Sequence, residues 1–179
     1  MFFKKNKFFY FIVFMAVVSL LTAEVNFIPN HDTFTYNEVI EIADASKSQL
    51  YTSFIVDVIP SIKSAGNLMW RPGDSDGIKQ QDDTNKSYIV SRQSFDTKFA
   101  GKTSCVLYTL KAKFKDGIVN IYFEDLTVSY QKTPMSYTMS TTELIEYVKL
   151  HNDKKQKKIL DEVNKELNKI LKKIKGKLS

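Results

Sequence analysis

The chain has 179 residues, 26 Lys+Arg against 20 Asp+Glu, a formal net charge of +6 and one cysteine. A lone cysteine excludes an intrachain disulfide, and His31 and His151 stand in no metal-like spacing with it. The charge is split: residues 24–152 hold 13 basic against 16 acidic side chains, and residues 153–179 hold 10 lysines against 4 acids. A mildly acidic body and a basic tail are two objects and must be read apart.

In chain order, Lys4, Lys5 and Lys7 precede an uncharged apolar run from Phe8 to Leu21, and Thr22-Ala23 offers a small residue before Glu24. This predicts a signal peptide over residues 1–23 and a protein exported to the periplasm or beyond. The alternative is a signal anchor kept in the inner membrane. Against it, Phe8–Ala23 is 16 residues, about 24 Å as a helix, short of the ~30 Å hydrocarbon core. Cys105 is too far from the signal to carry a lipid, and it reads as a packed small residue.

Thr33–Ile42 is β-branched and aromatic, with Phe34, Tyr36, Ile40 and Ile42 on one parity, and predicts the first strand. Ser46 and Gln49 form a capping box, and Leu50, Phe54, Val58 and Ile62 give the following helix one apolar face. Pro60 is expected to end or kink it near Ile59. Gly66, Pro72, Gly73 and Gly77 mark a loop, and short strands follow around Ile78–Gln81 and Tyr88–Phe95. Asp116-Gly117 joins two long alternating runs and predicts a two-residue type I′ hairpin. Its register sets Phe114 opposite Val119, Ala112 opposite Ile121 and Leu110 opposite Phe123 on an apolar face. Thr109, Lys111, Lys113, Asn120, Tyr122 and Glu124 share the polar face. Ser140 with Glu143 reads as a second capping box, opening a helix from about Ser140; at the polar interval 152–158 it either hinges or runs out into solvent, before an amphipathic lysine-rich end.

The expected architecture is α+β, ordered β-α-β-β-β-β-α: an antiparallel sheet with helices on one face plus a cationic amphipathic C-terminal helix. Residues 24–138 form the predicted body and 139–179 the helix and tail.

The run Val39–Ile42, the Ser46-Lys47-Ser48-Gln49-Leu50-Tyr51 helix start, the strands around Ile78 and Tyr88–Val90, and Lys115-Asp116-Gly117 together resemble domain of unknown function 4468. The likeness spans about residues 33–129. It implies a TATA-binding-protein-like (TBP-like) fold and an address among exported proteins of Bacteroidetes-type bacteria; it brings no activity, cofactor or catalytic residue. The lysine-rich C-terminal helix is not part of the family pattern.

No nucleophile elbow, phosphate loop or zinc helix is present, so no cofactor is expected and a non-enzymatic protein is the leading reading; the third alternative is an enzyme whose site forms only in three dimensions. Asp74-x-Asp76-Gly77 falls short of a calcium loop. Glu124 and Asp125, adjacent on a strand, should point to opposite faces. The six polar-face residues are either a solvated surface or a binding face for a peptide, glycan or partner protein. Nucleic acid is disfavoured by the acidic body and the export signal, although the resembled fold's namesake binds DNA through its sheet. Met69, Trp70 and Arg71 form a loop tip suited to recognition, or Trp70 folds back on the core. On the tail, Leu160, Val163, Leu167, Ile170 and Ile174 make an apolar stripe beside Lys165, Lys169, Lys172 and Lys173. That helix could dock on its own domain, pair with another helix, or lie on an anionic membrane surface.

Overall fold

The computed structural model describes residues 34–62, 77–99, 102–131 and 139–179. The described residues form six strands: β1 (Tyr36–Glu41), β2 (Gly77–Gln81), β3 (Tyr88–Phe99), β4 (Lys102–Lys115), β5 (Ile118–Gln131) and β6 (Met139–Glu143). All pair antiparallel in one sheet ordered β1-β5-β4-β3-β2. β1 and β6 share the free edge of β5, β1 on residues 118–123 and β6 on 127–131. Residues 139–143, expected to open a helix, are thus a strand. The Ser140 cap is not formed, and α2 (Leu144–Lys149) starts after Glu143, which makes no side-chain cap bond.

The β4–β5 hairpin has the expected register, with Phe114, Ala112 and Leu110 opposite Val119, Ile121 and Phe123. Its turn differs from type I′. Gly117 has positive φ, at 71°, but Asp116 does not, whereas type I′ needs it at both central residues. The Asp116 carboxylate is engaged elsewhere, accepting the Lys47 N–H at 2.7 Å, while Gly117 N–H donates to Ala45 O at 2.7 Å. The turn is therefore fastened to the start of the helix that opens at Lys47.

α1 begins as Lys47–Ser53 under the predicted Ser46–Gln49 capping box. It passes through a π-helical segment, Phe54–Val58, and ends with Ile59–Ile62. Pro60 does not stop the helix at Ile59. It has no N–H to donate one turn back, and the widened turn ahead of it, where Ile59 N–H reaches Phe54 O, takes up the mismatch. Leu50, Phe54, Val58 and Ile62 are all buried, and Phe114 meets the rings of Tyr51 and Phe54 edge-on at 5.5 and 5.4 Å.

A bulge divides β5. Thr109 faces Glu124 but Leu107 faces Thr127, so Asp125 and Leu126 together oppose Tyr108, and Asp125 takes φ 51°. The extra residue switches parity: Val119, Ile121 and Phe123 point inward before it, Leu126 and Val128 after it. Without that switch the second half of β5 would turn its apolar side chains outward.

The inner face is roofed by α1, α2 and α3 (Asp153–Leu178), whose N-cap Asn152 accepts from Lys155 N–H at 3.1 Å. The helices α2 and α3 are separate, broken at Leu150–Asn152, so the polar 153–158 stretch is the exposed first turn and a half of α3. His151 belongs to this joint: its Nδ1 lies 3.0 Å from Tyr147 O, and its carbonyl accepts from Gln156 at 2.7 Å. α3 buries Ile159, Val163, Leu167, Ile170, Leu171, Ile174 and Leu178 in the same core as β1 and α1, each worth about 1.5–3 kcal/mol. Near its end Lys175 Nζ bonds Glu38 of β1 at 2.5 Å.

Candidate functional site

The described helices lie on one side of the sheet, and the opposite face divides by exposure. Toward the β4–β5 turn its side chains reach solvent; beyond Arg92, Ser94, Cys105, Leu107 and Ser129 are buried. The exposed half is built in cross-strand rows by the register. Tyr88, Lys113, Asn120 and Val39 form the first row. Val90, Lys111, Tyr122 and Asn37 form the second. Arg92, Thr109 and Glu124 form the third. The six residues expected from the hairpin alternation are therefore together on one surface, joined by Tyr88, Val90, Arg92, Asn37 and Val39 from neighbouring strands.

Val39 and Tyr88 are 50% and 36% exposed, two of the large apolar side chains most open to solvent among the described residues. Lys113 Nζ sits 5.4 Å from the Tyr122 ring centroid, a cation–π distance. Tyr88, Val90, Lys111 and Lys113 also line a shallow depression of ≈ 450 Å³ with Gln80 and Ser87. The first two rows contain two lysines and no carboxylate, and among the described residues neither lysine has an ion-pair partner. The third row is structural. The Arg92 guanidinium donates to Thr109 Oγ1 at 2.9 Å, to Asp125 O at 3.3 Å and to Thr127 Oγ1 at 3.2 Å, pinning the bulge.

With this geometry in place, comparison with solved structures decides the fold. A TBP-like protein from Parabacteroides distasonis ATCC 8503 matches with a TM-score of 0.65 at 12% identity, over 87% of this chain and 97% of that one. The fold is TBP-like. A DUF4468 family protein from Bacteroides ovatus ATCC 8483 matches with a TM-score of 0.64 at 12% identity, over 87% and 90% of the two chains. No family model and no curated protein matches the sequence. At this identity the TBP-like likeness is one of fold, and no residue role is carried across. The resemblance read from Ser46–Tyr51 and Lys115–Gly117 holds at that level.

In this TBP-like domain the tail stripe has a use of its own. Val163, Leu167, Ile170 and Ile174 are buried under the sheet and Leu160 is half-buried, so those side chains are not free to form a second helix's seam. Lys165, Lys169, Lys172 and Lys173 remain exposed. Lys165 pairs with Glu162 at 3.2 Å. The loop tip Met69-Trp70-Arg71 and residues 1–23 lie outside the described residues.

Two cavities of the TBP-like domain meet at the bulge. One, ≈ 110 Å³, is apolar, between Tyr36, Leu126, Leu144, Val163 and Leu167. The other, ≈ 240 Å³, is lined by Glu124, Asp125, Thr127 and Glu143. Glu124 and Asp125 do not point to opposite faces as strand alternation suggests; the bulge takes Asp125 out of the pleat and both line this cavity. Among the described residues no three His, Cys, Asp or Glu side chains converge closely enough to hold a metal. Near the start of α1, burial and the Asp83 carboxylate hold the Tyr51 hydroxyl protonated well above the usual tyrosine range; it donates to Asp83 Oδ1 at 2.5 Å. This pair ties α1 to the β2–β3 turn.

Proposed function

We propose that this is an exported, non-enzymatic binding protein whose working surface is the exposed half of the outer sheet face, taking a protein, peptide or glycan partner. The observation that carries the reading is the pair of cross-strand rows around Lys111, Lys113 and Tyr122. They form a flat, rigid surface of two tyrosines, two lysines without carboxylate partners, and exposed Val39. Such a surface offers apolar contact and cationic hydrogen-bond donors at little cost in ordering, since its backbone is already fixed by the sheet. Strand-borne side chains on a preformed sheet suit recognition of an extended or planar ligand. The acidic balance of the body and the predicted signal peptide speak against a nucleic acid partner.

A photo-crosslinking residue at position 122, expressed in the host, tests this. The expected result is a discrete adduct that disappears in Lys111→Glu/Lys113→Glu and is not produced from position 165 on the opposite side. Absence of an adduct, or the same adducts from both positions, would refute the surface. Export is checked separately by the mass of the protein recovered from the host. A chain starting near Glu24 is expected, and retention of Lys4–Lys7 would overturn it.

A further inference from the structure

Docking of α3 fixes which of its faces meets solvent. The seven buried residues from Ile159 to Leu178 define one side of the helix. At 100° per residue the opposite crest carries Lys154, Lys158, Asp161, Lys165, Lys169 and Lys172, all exposed. Five of these six are lysines, and from Lys154 to Lys172 the row spans about 27 Å. Lys165 and Lys169 lean on Glu162 and Glu166. Lys154, Lys158 and Lys172 have no acidic partner among the described residues. Elsewhere in the helical layer two large apolar side chains stand in solvent: Val56 of α1, 62% exposed, and Leu150 in the turn leading into α3, 69% exposed.

We propose that this crest is a docking surface for the anionic headgroups of a lipid bilayer. The charge complementarity is that of a plane: a straight row of mobile point charges on a rigid rod. α3 has no arginine, the side chain that reads phosphate or carboxylate bidentately, so the row is built for a diffuse negative surface rather than for a shaped ligand. Because the apolar stripe is buried in the core, the attachment is electrostatic and shallow, without insertion of the helix. It also sets an orientation. The helices lie on the membrane and the outer sheet face, on the other side of the sheet, looks away from it.

Flotation of the exported protein with phosphatidylglycerol-containing vesicles tests the proposal, with phosphatidylcholine vesicles alongside. The protein should float with the anionic vesicles only. Raising salt from about 0.1 M to about 1 M, which shortens the screening length from about 10 Å to about 3 Å, should release it. Lys154→Gln/Lys158→Gln/Lys172→Gln should weaken binding about fivefold per lysine and more than a hundredfold together, with an unchanged melting temperature. Lys111→Gln/Lys113→Gln should bind as the parent does. Equal flotation with both lipids, a triple variant that floats like the parent, loss in the outer-face variant instead, or binding only to a soluble polyanion would each overturn it. The crosslinking result at position 122 is independent of all these outcomes.

Discussion

Truncating Leu167 to alanine puts the role of α3 to a quantitative test. Leu167 is 2% exposed and lies against Tyr36, Leu126, Leu144 and Val163 around the ≈ 110 Å³ apolar cavity. Leu→Ala removes the equivalent of three methylene groups, about 2.4 kcal/mol of transfer free energy at about 0.8 kcal/mol each. The void already beside the side chain merges with the space left behind, so the neighbours cannot close over it, and a cavity term brings the total to about 3–5 kcal/mol. Domains of this size have about 5–15 kcal/mol in all. With a urea slope near 2 kcal/mol/M, the midpoint followed by far-ultraviolet circular dichroism should fall by about 1.5–2.5 M in a single transition. Lys165→Ala, two residues earlier on the solvent side, should stay within about 0.5 kcal/mol of the parent. A midpoint shift below about 0.3 M for Leu167→Ala, or helix melting ahead of the sheet, would show that α3 is an appendage and refute its place in the core.

Two further outcomes follow from the turns. Gly117→Ala should cost about 1–2 kcal/mol through backbone strain alone, because φ is 71° and the added Cβ would meet Ile42 O at an ordinary 3.5 Å; an unchanged urea midpoint would contradict the positive φ. The Ser87 hydroxyl and the Asn85 backbone N–H hold the Asp82 carboxyl below its ordinary value of 3.8. A depressed folded pKa means stability that is present above the unfolded value and lost as pH falls through the folded one. Asp82→Asn should therefore be less stable than the parent at about pH 5, with the difference shrinking toward about pH 2; a constant difference across that range would rule out the linkage.

What the sequence disclosed follows the range of the interactions involved. The Asp116-Gly117 hairpin, its register and the polar face it carries depend on residues close in the chain, and alternation suffices to place them. Leu50, Phe54, Val58 and Ile62 likewise declare the buried face of α1 by spacing alone. The neighbours that complete the candidate surface were not legible. Tyr88, Val90, Asn37 and Val39 come from strands whose pairing partners are set by topology. β3 hid its orientation because Ser91, Gln93 and Thr97 point into the core, where Gln93 donates to Ser91 at 2.6 Å and Ser91 to Gly77 O at 3.0 Å. β6 was masked by Ser140 and Glu143, which imitate a helix cap at the end of a short polar strand. The bulge did leave a trace: apolar residues run on odd positions to Phe123 and on even ones from Leu126, a change of parity that only an extra residue reconciles. As for the tail, a stripe of Leu, Ile and Val at helical spacing states that something covers it and is silent about what.

The shared edge of β5 has a kinetic consequence. Its two neighbours are β1, which must wait for residues 118–123 far along the chain, and β6, which forms only after β5 is complete. The β3–β4–β5 meander joins strands adjacent in sequence and can assemble first, whereas closing β1 onto β5 carries the largest loop-closure cost in the sheet. Until β1 and β6 arrive, the rim of β5 is an unprotected row of backbone donors and acceptors, and α3 has no finished surface to settle on. The late steps of folding are thus assigned to the two ends of the described chain.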